Sequence, residues 1–155
     1  MKINPFKLER YFALYEFSAR YLLCSSDCES WTVQEILELE PGSEEGLKKH
    51  RLGYTECTGA PSLREEISHT YAGINPDQVL VHGGAEEAIF LFMQAVLDPG
   101  DHVIVHWPSY QSFHEIPRSL GCEVTFWKAC EDKNWALDLH ELRREIRPNT
   151  RAVIF

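Results

Sequence analysis

Phe6, Leu8, Tyr11, Phe12, Leu14, Tyr15, Phe17 and Tyr21 recur at near-helical spacing, with Lys7, Glu9, Arg10, Glu16 and Arg20 between them. This pattern predicts one amphipathic helix over residues 1–23. So aromatic a face suits an arm laid on a larger body; an ordinary core helix fits the spacing equally well. Cys24 to Trp31 is polar. Thr32-Val33-Gln34-Glu35 has the form of a capping box, in which side chain and backbone at a helix start satisfy each other's donors. It predicts a short helix through Leu39, closed by Pro41-Gly42. Ser43 to His50 predicts another short helix, and Arg51 to Pro61, with Gly53, Gly59 and Pro61, is turn-rich.

From Ser62 the pattern becomes regular. Ser62-Leu63-Arg64-Glu65 reads as a second capping box, with Leu63, Ile67 and Tyr71 on one helical face. Asn75-Pro76-Asp77 marks a turn. Gln78 to His82 is a short β-rich run that enters Gly83-Gly84. Ala85, Ala88, Ile89, Phe92, Ala95 and Val96 then form a wide apolar helical stripe, stopped by Asp98-Pro99-Gly100-Asp101. His102 to His106 predicts a strand, Ser109 to Leu120 a helix, Glu123 to Lys128 a strand, Asp138 to Ile146 a capped helix, and Ala152 to Phe155 one more strand. Strands alternating with helices imply right-handed crossovers and a mostly parallel sheet with helices on its faces. The expectation is therefore an α/β fold, a three-layer α/β/α arrangement preceded by a helical arm. The last apolar strand runs to Phe155 with no helix after it, an arrangement expected of a fragment.

Composition narrows the function classes. The chain has 155 residues, 44% hydrophobic and 25% charged, which suits a globular domain with a real core. Its formal charge of -9, from 15 basic and 24 acidic residues, argues against a general nucleic-acid binder. No apolar run approaches the roughly 20 residues that span a bilayer. The mixed charged and aromatic start does not read as a signal peptide. The five cysteines, Cys24, Cys28, Cys57, Cys122 and Cys130, read as reduced thiols of a cytoplasmic protein. A zinc site from Cys24, Cys28, Cys57 and His50 has irregular spacing.

Three segments are candidates for chemistry. In Val79-Leu80-Val81-His82-Gly83-Gly84-Ala85-Glu86-Glu87-Ala88 a strand enters a glycine doublet and a helix begins at once. Unpaired N–H groups and the positive end of the helix dipole meet there, and glycine lets an anion approach the backbone. A plain strand-to-helix turn has the same sequence form. Glu86 and Glu87 would repel an anion unless their side chains point away, which leaves only backbone N–H groups as ligands. The second segment is Val105-His106-Trp107-Pro108-Ser109-Tyr110, where Tyr110 follows a strand's carboxyl end as either a core residue or a flat platform. The third is Tyr54, in a glycine-containing loop before a helix, which is also compatible with a plain surface aromatic. His102 and His106 share one face of a strand and read as packed or hydrogen-bonded residues. His50, His69, His114 and His140 read as surface or partner-packing residues, and Lys128 as an exposed edge residue.

Taken in order, Tyr54…Gly59…Leu63-Arg64-Glu65, then Val81…Gly84-Ala85…Ala88-Ile89, then Leu97-Asp98-Pro99-Gly100-Asp101-His102-Val103-Ile104-Val105, then Pro108-Ser109-Tyr110, the chain resembles the class I/II aminotransferases. These are pyridoxal-phosphate (PLP) enzymes of fold type I, and the match covers about residues 50–155. The resemblance implies a helical arm or small-domain segment over 1–50 and the first part of the PLP-binding large domain over 51–155, truncated at its carboxyl end. It implies that the amides of Ala85 and Glu86, after Gly84, hold the cofactor phosphate. It implies that Tyr110 stacks on the pyridine ring and that Tyr54 reaches the phosphate in the neighbouring subunit of a homodimer. Gly100 and Asp101 would be structural, with Asp101 fixing the turn before the strand.

The departures bear on activity. None of the six lysines, Lys2, Lys7, Lys48, Lys49, Lys128 and Lys133, stands in the context of the family's Schiff-base lysine, so no catalytic residue is assigned. The family's Asn-Pro-Thr-Gly segment and carboxylate-binding arginine are also missing. The expectation is the amino-terminal part of an aminotransferase acting on an amino acid and a 2-oxo acid, with the 155 residues inactive by themselves. The alternatives are a non-catalytic fragment, a PLP-binding or dimerisation module, or a parent enzyme performing PLP-dependent elimination or cyclisation. For the last, Leu22-Leu23-Cys24-Ser25-Ser26-Asp27 resembles the capreomycidine-synthase-like branch. A doubly wound nucleotide-binding domain would need a GxGxxG or a P-loop, and neither is present.

Overall fold

The computed structural model describes residues 2–155. Its helices are α1 (Lys7–Tyr15), α2 (Val33–Glu38), α3 (Ser43–Lys49), α4 (Pro61–His69), α5 (Ala85–Val96), α6 (Ser112–Ser119) and α7 (Leu139–Glu145). Its strands are β1 (His102–Trp107), β2 (Glu123–Lys128) and β3 (Thr150–Ile154). The chain divides into two compact units. One holds the residues up to Ala13 together with His82–Phe155, and the other holds Leu14–Val81.

The first unit is built on a parallel sheet in the order β2-β1-β3. β1 lies in the middle, so both its faces are covered: His102, Val103, Ile104 and Val105 are all buried. Period-2 alternation sends Val103 and Val105 to one face, where Met93 and Leu97 from the end of α5 and Ile116 from α6 pack against them. Val124 and Phe126 of β2 join the same face. Trp127, of opposite parity, meets the start of α7, where its indole N–H donates to the Asp138 carbonyl at 2.9 Å. The three layers are thus α5 and α6, the sheet, and α7. On the Trp127 face His102 forms a polar bridge across all three strands, its Nδ1 2.8 Å from Thr150 Oγ1 and its Nε2 2.9 Å from Thr125 Oγ1. The Asp98–Asp101 turn closes on itself, with the Asp98 N–H donating to Asp101 Oδ2 and Gly100 at φ 91°. Asp101 therefore fixes the turn before β1, as the resemblance implies.

In the second unit the Thr32–Glu35 capping box forms as the sequence predicts. Arg64 of α4 clasps the segment leading out of this unit, donating to the carbonyls of Val79 at 3.1 Å and Pro76 at 2.6 Å. Gly59 sits at φ 108°, and a Cβ there would run into the Val81 side chain. That close approach accompanies a hydrogen bond from the Val81 N–H to the Thr58 carbonyl.

Four expectations need correction. The first helix does not span 1–23 but Lys7–Tyr15. Beyond it Ser18 Oγ turns back to the Leu14 and Tyr15 carbonyls, competing with helical N–H groups. Ser62 is not a cap: Pro61, which lacks an N–H, takes the first helical position and moves the cap to Ala60. Residues 78–82 form no strand: Gln78 closes a 3₁₀ turn over Pro76–Gln78, and no neighbouring strand pairs with residues 79–82 among the described residues. His114 is not on the surface; it is 7% exposed, buried against Trp107 and Phe126.

Candidate functional site

Gly84 occupies φ 156°, ψ 166°, a backbone region open essentially to glycine alone. Nothing lies within 4 Å of where its Cβ would stand, so conformation and not crowding demands glycine here. The chain then turns directly into α5 with no side-chain cap. The leading N–H groups of a helix have no intrahelical acceptor. Those of Ala85 and Glu86 therefore lack an intrahelical acceptor and stand at the positive end of the dipole.

Both first-turn carboxylates are engaged elsewhere. Ser112 Oγ, fully buried at the start of α6, donates to the Glu86 carboxylate and sits 2.7 Å from both oxygens. Glu87 Oε2 accepts the Gly83 N–H and lies 3.9 Å from His82 Nδ1. The anion repulsion anticipated from sequence is thus reduced by diverting the two acids, and Gly83 is removed from the set of free donors.

Tyr110 stands in the loop between β1 and α6, 38% exposed. Its ring is perpendicular to those of Phe6 and Phe113, at centroid distances of 6.1 and 6.2 Å. Partial burial, then the charges of Glu86 and Glu9, raise its phenol pKa. The Glu86–Ser112 bond ties the head of α5 to the helix that follows Tyr110, so the two elements singled out by sequence belong to one rigid corner of the first unit. A cavity of about 280 Å³ lies beside Tyr110, lined by Phe6, Lys7, Trp107, Ser109 and His114 among others. Ser109 Oγ and His114 Nδ1 are buried without a hydrogen-bond partner among the described residues. Tyr54 lies in the second unit and is fully exposed.

Sequence reasoning missed Ser112, Phe6 and Gln111. Ser112 carried one faint signal, a small hydroxyl residue just after Pro108-Ser109-Tyr110. The other two act across more than a hundred residues: Gln111 bonds to the backbone of Pro5 and Lys7.

A helix head without a side-chain cap behind a glycine-only turn, with an aromatic ring after a strand's carboxyl end, is the kind of place where open α/β sheets take ligands. The family "aminotransferase class I and II" matches residues 21–155, and the chain belongs to that family. An aspartate aminotransferase of Thermotoga maritima is 36% identical over 125 residues, covering 74% of this chain and 33% of its own length. A PLP-dependent aminotransferase from Streptococcus suis superposes with a TM-score of 0.89 at 35% identity, covering 99% of this chain and 42% of that one. The PLP-dependent cyclase OrfR superposes with a TM-score of 0.84 at 29% identity, covering 100% and 41%. The chain spans about a third of the length of the curated relatives it matches.

Proposed function

We propose that this chain is the cofactor-holding part of a PLP-dependent aminotransferase acting on an amino acid and a 2-oxo acid. The observation that carries this reading is Gly84 in its glycine-only conformation ahead of the uncapped N–H groups of Ala85 and Glu86. Those two N–H groups would donate to the cofactor phosphate, and the open part of the Tyr110 ring would lie against the pyridine ring. Bound PLP supplies the electron sink for a substrate that loses its α-proton. This chain's residues anchor and orient; none of its six lysines matches the family's Schiff-base position, and the 155 residues alone are expected to be inactive. Tyr54, exposed in its glycine-containing loop, would reach the phosphate of a neighbouring subunit in a homodimer. A cytoplasmic setting, suggested by five unpaired cysteines, belongs to the same proposal.

A second reading, PLP-dependent cyclisation or elimination in the parent enzyme, is favoured by the likeness of this whole chain to 41% of OrfR. Both readings need the same cofactor. Absorbance titration of the chain with PLP and with pyridoxal, which lacks the phosphate, tests it. PLP is expected to bind at least about ten-fold more tightly, as a charge-assisted phosphate anchor requires. Equal affinity would overturn the reading.

A further inference from the structure

The first residues of the chain are pinned to the loop that carries Tyr110. The Gln111 carboxamide accepts the Lys7 N–H at 2.9 Å and donates to the Pro5 carbonyl at 3.2 Å. It therefore grips the backbone on both sides of Phe6. Asn4 Nδ2 adds a third tie, donating to Glu115 Oε2 at 2.7 Å. Glu115 is itself 7% exposed and further held by Arg118. The residue so presented, Phe6, meets the Tyr110 ring at 83°.

Tyr110 needs such a hold. Ser112 hydrogen-bonds the Tyr110 side chain, but one side of the ring's surroundings is the 280 Å³ cavity shared with Phe6, Trp107, Ser109 and His114, where close packing does not fix its tilt. Phe113 touches it from α6, and Phe6 is the contact supplied by the arm. A ring poised beside a void tilts unless something braces it, and perpendicular aromatic contacts are directional.

We propose that Phe6, gripped by Gln111, is a positioning residue of the cofactor site, setting the tilt at which the Tyr110 ring meets a planar heterocycle. This rests on the reading of Tyr110 given above. It makes the arm part of the site. Removing Phe6 frees the ring while leaving the phosphate-binding amides of Ala85 and Glu86 in place. The loss therefore appears for a ligand with a ring and not for one without.

The test compares PLP with inorganic phosphate on the full chain and variants, with ring-labelled tyrosine observed by NMR. Phe6→Ala is expected to weaken PLP by about five-fold, the range of one aromatic pair, and to leave phosphate unchanged. Without any ligand it should lower the Tyr110 titration midpoint, because Phe6 shields the phenol. Phe6→Tyr restores the affinity, and Gln111→Ala, which leaves the core untouched, reproduces the loss. On a Tyr110→Ala background, Phe6→Ala adds nothing further. A loss with Tyr110→Ala but none with Phe6→Ala overturns this inference alone, as does equal weakening of both ligands. Undiminished PLP affinity in Tyr110→Ala overturns the stacking reading and the inference with it. A chain that binds neither ligand overturns both.

Discussion

Acidification should destabilise this protein through two buried histidines well before its carboxylates matter. His102 is 0% exposed, and burial, reinforced by the Arg147 guanidinium, holds its pKa below the ordinary 6.5. His114 is shifted the same way by burial and by Arg118. The folded chain protonates both rings only at lower pH than the unfolded chain, which takes up protons below about pH 6.5. Their contribution to stability is complete above that pH and is lost as pH falls from there through the lowered folded values. Each ring contributes a slope of at most about 1.4 kcal/mol per pH unit, so the pair sets a ceiling near 2.7. Glu35, Glu56 and Asp138 have pKa values below their ordinary 4.5, 4.5 and 3.8, so their losses begin at lower pH. The interval from about pH 5 to 6.5 therefore isolates the histidines. Urea unfolding followed by tryptophan fluorescence from pH 7.5 to 5 measures the slope. His102→Gln, which keeps a donor and an acceptor between Thr125 and Thr150 but does not titrate, should be less stable at pH 7.5 and show a shallower slope. A flat wild-type profile, or a variant with the full wild-type slope, would refute the reasoning.

Gly84→Ala should cost about 1–3 kcal/mol, because alanine rarely adopts this backbone conformation, and should abolish phosphate binding; thermal unfolding and a phosphate titration measure the two effects. Gly59→Ala combines φ 108° with a clash against Val81. It should loosen residues 14–81, and proteolysis there should accelerate while hydrogen exchange in β1 is unchanged. Glu86→Gln should lower the Tyr110 titration midpoint, since the Glu86 charge helps to raise it. Ser112→Ala should cost about 1.5–3 kcal/mol by urea unfolding, through the lost bond to a carboxylate.

Local chemistry made much of this fold legible. The Thr32–Glu35 box and the Glu123–Lys128 strand are local features, and the structure reproduces the box and the strand bounds as read, although burial along the strand does not alternate. The glycine doublet announced the start of α5 because only glycine reaches the conformation of Gly84. Ser62–Glu65 misled because two start signals overlapped and Pro61, one residue earlier, took the first helical position. Residues 78–82 have strand composition, but a ladder needs a neighbour, and a local pattern cannot report one. The site divides along the same line. Gly84, Ala85 and Tyr110 were visible as a turn and a strand exit. The Gln111 clasp and the Phe6 brace depend on residues more than a hundred positions apart, and His114 is buried because the fold sets α6 against Trp107 of β1 and Phe126 of β2.

In the proposed site, backbone amides at the head of α5 hold a phosphate while Tyr110 faces the attached ring. Amide chemical-shift mapping of the labelled chain reads both halves at once. Added PLP should move the Ala85 and Glu86 amides and the Tyr110 ring signals together, and inorganic phosphate should move the amides alone. Shifts confined to other segments, with Ala85, Glu86 and Tyr110 unmoved, would contradict the account.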